Sequence, residues 1–164
     1  GEMIPDVKQE ILLVTDPGKE EEAVTRLARV GYDYSLGYLK GGFEAWKIAG
    51  KDYESISRAS AEELASIYSE NPMIIDVRKA SEFESEHIEN AVNITLNQIN
   101  SHLAAFPKDR SFFIHCAGGY RSMIASSILK QRGWTNFVDI RGGFKAIKET
   151  SIPVTQYVEP ATLL

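Results

Sequence analysis

The chain has 164 residues, a formal charge of −5 and 43% hydrophobic side chains, an ordinary globular composition sized for one medium domain or a small domain plus a fragment. Its longest apolar runs, such as Ile11-Leu12-Leu13-Val14, fall far short of the ~18 residues of a membrane span, and no basic-then-apolar leader opens the sequence, so a soluble protein without a membrane partner is expected. A single cysteine cannot build a disulfide framework and makes a reducing, cytoplasmic setting the default, while net acidity without a Lys/Arg cluster argues against a nucleic-acid partner.

Charge is unevenly placed. Residues 1–54 carry 7 basic and 11 acidic side chains, and residues 111–164 carry 6 and 3. The final third is therefore locally basic, and it holds the cysteine.

In chain order, the first feature is an internal repeat. Ile11 to Asp16, followed by Leu39-Lys40-Gly41-Gly42-Phe43-Glu44-Ala45-Trp46, reads like Phe112 to Cys116 followed by Ile140-Arg141-Gly142-Gly143-Phe144-Lys145-Ala146-Ile147. Each copy runs strand, loop, helix, Gly-aromatic pair (Gly31-Tyr32, Gly133-Trp134), strand, Gly-Gly-Phe, short helix. The spacing of about 100 residues makes each copy a domain-scale unit rather than a solenoid repeat. The first copy is shorter between strand and Gly-aromatic pair, and Asp16 is aligned with Cys116.

After a linker around 53–57, a short strand is expected at 56–58. A helix over Ala61–Tyr68 follows, with Ser60 and Glu63 as a capping box. Met73–Val77 reads as a buried strand, Ser81–Ser85 as a short helix and Ala91–Ile94 as a strand. Leu96–Phe106 reads as a helix with Leu96, Ile99, Leu103 and Phe106 on one face. Then come a strand at Phe112–His115, a helix at Arg121–Arg132 closed by Gly133, and a strand at Phe137–Ile140. Alternating strands and helices imply an α/β fold with a mainly parallel sheet covered on both faces. Residues 56–154 are expected to form a complete domain and 155–164 a tail. Residues 1–52 contain only the back half of such a domain, to be completed by a preceding segment or a partner.

The chemistry concentrates at Ile114-His115-Cys116-Ala117-Gly118-Gly119-Tyr120-Arg121-Ser122. A strand ending in cysteine, then a glycine loop opening a helix, puts the sulfur at the carboxyl edge of a parallel sheet, where such folds bind ligands. Loop amides and a helix N-terminus form an anion-binding concavity, and a thiol in that setting beside an arginine tends toward the reactive thiolate. The competing reading is a buried, inert cysteine behaving as a small hydrophobe. A loop cysteine is expected to contribute little packing.

Cys116-Ala117-Gly118-Gly119-Tyr120-Arg121-Ser122 resembles the Cys-x-x-Gly-x-Arg-Ser active loop of the single-domain rhodaneses, a sulfurtransferase family. Ile75-Asp76-Val77-Arg78, Glu82-Phe83, His87-Ile88 and Ala91-Val92-Asn93-Ile94 are similar to the family's Asp-Val-Arg, Glu-Phe and His-Ile-x-x-Ala-x-Asn-Ile signatures, in order. Arg141-Gly142-Gly143-Phe144 matches its Gly-Gly element, with Ile147 where a Trp is common. Residues 1–52 look like the second half of a further, cysteine-less unit. Such tandem units occur in the family, including behind metallo-β-lactamase-like hydrolase domains in bacterial fusions.

The resemblance implies a three-layer α/β/α rhodanese-like domain, no cofactor, and sulfur transfer through a Cys116 persulfide. The donor would be a small anion, thiosulfate or a low-molecular-weight persulfide, and the acceptor a thiol or cyanide-like nucleophile. Residues 117–122 would bind substrate, with Arg121 either clamping the donor or tying the loop to a carboxylate such as Glu82. Asp76, Arg78 and Glu82 are assigned supporting roles, Asp76 and Arg78 as an ion pair or cap supporting the loop rather than catalysts. His115 is read as a packed residue rather than a general base. His87, His102 and His115 with one Cys lack metal-ligand spacing. Two alternatives remain at this point. One is a cysteine phosphatase or arsenate reductase, whose loops place five residues between Cys and Arg where this chain has four. The other is a non-catalytic interaction module.

Overall fold

The computed structural model describes residues 3–155, so of the expected tail only its first residue is covered, and 156–164 lie outside the described residues. The chain divides into two units, one ending at Ser55 and one starting at Ile56.

In the N-terminal unit, strand β1 (Ile11–Leu13) pairs in parallel with β2 (Ser35–Tyr38) through the helix α1 (Glu20–Ala28), and α2 (Gly42–Ile48) follows. A two-stranded sheet has no interior. Helix α1 buries none of its residues, and Leu12, Leu36 and Ile48 are exposed. Tyr32 is an exception: it is buried, and its hydroxyl donates to the Ile4 carbonyl.

The C-terminal unit has a five-stranded sheet in the order β3-β7-β6-β4-β5, every recorded pair parallel. Its elements are β3 (Arg58–Ala59), α3 (Ala61–Ile67), β4 (Met73–Asp76), α4 (Ala80–Ser85), β5 (Val92–Asn93), β6 (Phe112–His115), α5 (Tyr120–Gln131), β7 (Phe137–Ile140) and α6 (Gly143–Ile147). Side chains alternate along each strand, which gives the sheet two apolar faces. Ile75, Phe112, Ile114 and Phe137 pack with Ala125, Ile128 and Leu129 of α5. Ile74 and Ile140 pack with Leu64 of α3 and Ile147 of α6 on the other face. The result is the expected three-layer α/β/α arrangement. The Ser60–Glu63 capping box forms as expected: Glu63 N–H donates to Ser60 Oγ at 3.1 Å and Ser60 N–H to Glu63 Oε2 at 2.6 Å.

One expected helix is absent. Residues 96–106 form two 3-10 turns, Leu96–Gln98 and Leu103–Ala105, rather than an α-helix. The apolar positions do face the core, with Ile99 and Phe106 buried, but the backbone bonding is mixed: the Gln98 carbonyl accepts from both Ser101 N–H at 3.0 Å and His102 N–H at 3.1 Å, and polar side chains crowd onto the same oxygen. Ser101 Oγ donates to the Gln98 carbonyl at 2.9 Å, and His102 Nδ1 lies 3.0 Å from the same oxygen. Such local bonds compete with helix formation.

Candidate functional site

Strand β6 sits in the middle of the sheet, and the chain leaves it toward β7 on one side while β4 leads to β5 on the other. The carboxyl ends of β4 and β6 therefore flank a switch point, where open α/β sheets bind ligands. Cys116 follows β6 there.

The cysteine loop is held from below. Phe144 N–H donates to the Cys116 carbonyl at 2.7 Å and Lys145 N–H to the Ala117 carbonyl at 3.0 Å. Gly143 allows this approach: its φ is +57°, and a Cβ there would lie 2.3 Å from the Cys116 oxygen, far inside contact distance. The Gly-Gly element thus serves to dock the first turn of α6 under the nucleophile.

Above, Gly119 N–H donates to Cys116 Sγ at 3.2 Å. Gly119 has φ +102°, a region open to glycine and avoided by other residues, and it turns that amide onto the sulfur. Ser122 is buried and its hydroxyl returns to the Gly119 carbonyl at 3.1 Å, so it staples the loop. Tyr120 is 80% exposed. Cys116 itself is only 1% exposed and joins the apolar cluster beneath α5. This corrects the expectation that the cysteine contributes little packing.

Arg121 resolves in favour of a tie to Glu82 in this state of the protein. The two make a bidentate pair at 2.5 and 2.8 Å. The Arg121 hydrogen bonds lower the Glu82 carboxyl to about 2, and Glu82 in turn raises the guanidinium. Glu82 also accepts from Lys79 N–H at 3.2 Å, so the pair links α4 to the cysteine loop.

Asp76 and Arg78 form a buried ion pair, one of the two roles expected of them. Arg78 Nε donates to Asp76 Oδ2 at 2.8 Å, its backbone N–H to Oδ1 at 2.9 Å, and a terminal nitrogen to the Glu86 carbonyl at 2.7 Å. The guanidinium lies 3.9 Å from the centre of the Phe144 ring. His115 is fully buried, and desolvation holds its imidazole below the ordinary histidine value despite Asp76 Oδ2 at 3.9 Å. It points away from the sulfur, into the pair that supports the loop.

A cavity of about 360 Å³ opens beside the loop, lined by Arg78, Glu82, Glu86, Ala117, Phe144 and the Lys145–Lys148 face of α6 among others. Lys148 pairs with Glu86 at 2.7 Å across it. The lysines and Phe144 were not among the site residues expected from sequence, although all lie within five residues after Gly143. Arg58 was also missed. It bonds Asp139 Oδ2 at 3.0 Å and reaches toward Gly119.

Among the described residues, no group of three or more His, Cys, Asp or Glu side chains gathers in a metal-holding arrangement, and no helix is long and apolar enough to cross a membrane.

The family model for the rhodanese-like domain matches residues 60–150. The chain belongs to the rhodanese-like family. A sulfurtransferase from Allochromatium vinosum is 29% identical over 103 residues, covering 63% of this chain and 91% of that protein. The thiosulfate sulfurtransferase GlpE of Coxiella burnetii is 27% identical, covering 58% and 88%. The chain spans only 57% of another relative, the Bacillus subtilis protein YqhL, at 36% identity. Among solved structures, a rhodanese-related protein from Thermoplasma volcanium matches with TM-score 0.56 at 28% identity, over 60% of this chain and 97% of that one. A rhodanese-like domain protein from Staphylococcus aureus matches with TM-score 0.55 at 28% identity, over 62% and 100%. The rhodanese-like match covers the C-terminal unit, which carries the cysteine loop.

In the N-terminal unit the same Gly-Gly approach recurs: a Cβ on Gly42 would lie 2.3 Å from the Thr15 carbonyl. Thr15, rather than Asp16, thus occupies the place that Cys116 holds against Gly143. The sequence comparison set Asp16 against Cys116; the contact with Gly42 is made one residue earlier.

Proposed function

We propose that the C-terminal unit is a sulfurtransferase that carries sulfane sulfur on Cys116. The observation that carries this reading is the cysteine at the carboxyl end of β6 with the Gly119 amide directed at its sulfur. Relatives named as sulfurtransferases, one of them a thiosulfate sulfurtransferase, support it.

With thiosulfate as donor, the Cys116 thiolate attacks the outer sulfur. A sulfur–sulfur bond forms at Cys116, the bond to the sulfonate sulfur breaks with its electron pair, and sulfite leaves. The persulfide anion keeps the thiolate's charge, and loop amides stabilise it. An acceptor thiolate or cyanide then takes the terminal sulfur and regenerates the Cys116 thiolate, a two-step pattern of covalent catalysis. A low-molecular-weight persulfide loads Cys116 by the same displacement, with a thiolate leaving.

Residues 117–122 form the donor-facing loop in this reading. The carbonyls of Cys116 and Ala117 are pinned by α6, whereas a Cβ at Gly118 would meet nothing within 4 Å. In this reading the donor approaches the sulfur over the open space beside Gly118, with the Ala117 side of the cavity receiving the acceptor. Four residues separate Cys116 from Arg121, a loop sized for one sulfur rather than a tetrahedral oxyanion. The N-terminal unit is a partial, non-catalytic unit that acts through packing or assembly.

The direct test is the mass of Cys116 after thiosulfate treatment. A gain of ~32 Da, one sulfur, is expected and is removed by a thiol. No gain, with hydrolysis of p-nitrophenyl phosphate that is lost in Cys116→Ser, would replace sulfur transfer by phosphoryl chemistry.

A further inference from the structure

The arginine that the active-loop pattern supplies is already occupied. Arg121 spends both terminal nitrogens on Glu82, and Arg78 is buried against Asp76, the Glu86 carbonyl and Phe144. A third arginine lies on the opposite flank of the loop. Arg58 is the first residue of β3, in register with Asp139 of β7, and one of its terminal nitrogens lies 3.9 Å from where a Cβ on Gly119 would stand. Gly119 is the residue whose amide meets Cys116 Sγ.

Asp139 explains how Arg58 is aimed. Its carboxylate is fully buried, with Oδ2 accepting from Arg58 Nε at 3.0 Å and Oδ1 without a hydrogen-bond partner. A buried carboxylate is costly unless paired, and Arg58 is the ion-pair partner of Asp139. The bond to Asp139 uses Nε, and no carboxylate other than Asp139 pairs with Arg58 among the described residues. The side chain is 37% exposed. A cation held beside the first turn of α5, the positive end of a helix, is favoured when an anion shares the place.

We propose that Arg58, held by Asp139, binds the oxyanion end of the sulfur donor on the Gly119 side of the loop and so makes the protein selective for donors with a sulfonate-type group. This rests on the sulfurtransferase reading. Arg58 is then a binding residue, and Asp139 a positioning residue that acts through it. The acceptor keeps the Ala117 side.

The experiment separates the two half-reactions by single-turnover measurement on the full chain. Persulfide formation is followed against thiosulfate concentration, and discharge of the preloaded persulfide is followed with dithiothreitol, an uncharged thiol. In Arg58→Gln, the thiosulfate concentration for half-maximal loading rises roughly tenfold, the effect of losing one charged hydrogen-bond contact, while discharge keeps its rate. Arg58→Lys recovers part of the loss. Asp139→Asn shifts loading in the same direction; if that variant fails to fold, the Arg58 pair decides. Unchanged loading in Arg58→Gln, or equal slowing of both half-reactions, overturns the proposal. If the natural protein neither loads nor discharges sulfur, the sulfurtransferase reading fails separately. Arg58 is then judged by thiosulfate protection of Cys116 against iodoacetamide: a higher half-protecting concentration in Arg58→Gln upholds anion binding, and an unchanged one overturns it.

Discussion

Both units open a short helix with two left-handed glycines, and in both the second glycine sits against the carbonyl of a residue just past a strand, β6 in one and β1 in the other. Everything around that turn differs. In the C-terminal unit the carbonyl belongs to Cys116 and the following helix begins Tyr120-Arg121-Ser122, with no acid in its first turn. In the N-terminal unit the carbonyl belongs to Thr15 and the following helix begins with Glu20, Glu21 and Glu22. Helix α5 buries Ala125, Ile128 and Leu129, while α1 buries nothing. The turn is a local device that two glycines suffice to build. An anion-handling site needs more: a nucleophile at that position, a helix start free of carboxylates, and a covered sheet that removes the loop from water. Electrostatic interactions strengthen as water is excluded.

The sharpest way to break this contrast is to move the nucleophile. Cys116→Ser should abolish sulfur transfer, and Thr15→Cys added to it should not restore any, because three carboxylates replace the cationic start of α5. Turnover in the double variant would show that the glycine turn alone suffices. Because Cys116 is buried, its replacement should also lower stability, by about 1 kcal/mol, with the Gly119 amide offering the hydroxyl a partner. Denaturant unfolding measures this.

The next largest effect is on folding. Asp76→Ala leaves Arg78 as an uncompensated buried charge and should destabilise the C-terminal unit by about 3–5 kcal/mol. The surface pair Lys19–Glu22 of the N-terminal unit should be worth under ~1 kcal/mol by the same measurement.

Gly143→Ala and Gly42→Ala test the shared turn directly. Each places a Cβ 2.3 Å from a backbone oxygen at positive φ, so each should cost at least about 1–2 kcal/mol in its own unit. Only Gly143→Ala should depress turnover, since only that turn docks under the nucleophile. Equal loss of activity from Gly42→Ala would show that the N-terminal unit helps build the site.

The smallest expected effect is in pH dependence. The Glu82 carboxyl is lowered from 4.5 to about 2 by Arg121. Its depressed value means the folded state releases the proton more readily than the unfolded chain. The contribution is therefore complete above pH 4.5 and lost as pH falls toward 2. The pair is about one-third exposed, so solvent screening should keep the effect near or below ~1 kcal/mol. Comparing the natural protein with Glu82→Gln across that range should show the two stability curves converging at low pH. Parallel curves would mean the pair does not hold the loop.

Much of the C-terminal unit was legible in sequence because its signals are local. The Ser60–Glu63 box, the apolar strands Met73–Asp76 and Phe112–His115, and Gly133 after α5 each act within a few residues, and each element formed within a residue or two of its expected bounds. The helix expected over 96–106 failed where periodicity and side-chain chemistry disagreed: Ile99 and Phe106 reached the core, while Ser101 and His102 took backbone bonds. The site's nucleophile and its loop could be read because glycines and arginine follow the cysteine directly. Asp76, Arg78 and Glu82 were read as supports as well, whereas Arg58, Asp139 and the first turn of α6 were not. Asp139 becomes a neighbour of Arg58 only when β3 pairs with β7, and Phe144 and Lys145 reach the cysteine loop only when α6 docks under it. The sequence by itself determined most of the strands and helices of the C-terminal unit, and that a lone cysteine stood in a glycine loop, because those properties depend on neighbours along the chain. The tertiary structure decided between the two roles left open for Arg121, and it alone brought Arg58 to Asp139. Arg121 turns to Glu82, 39 residues away, and Arg58 to Asp139, 81 away, and ion pairs over such separations exist only once the sheet order has brought their strands and loops together.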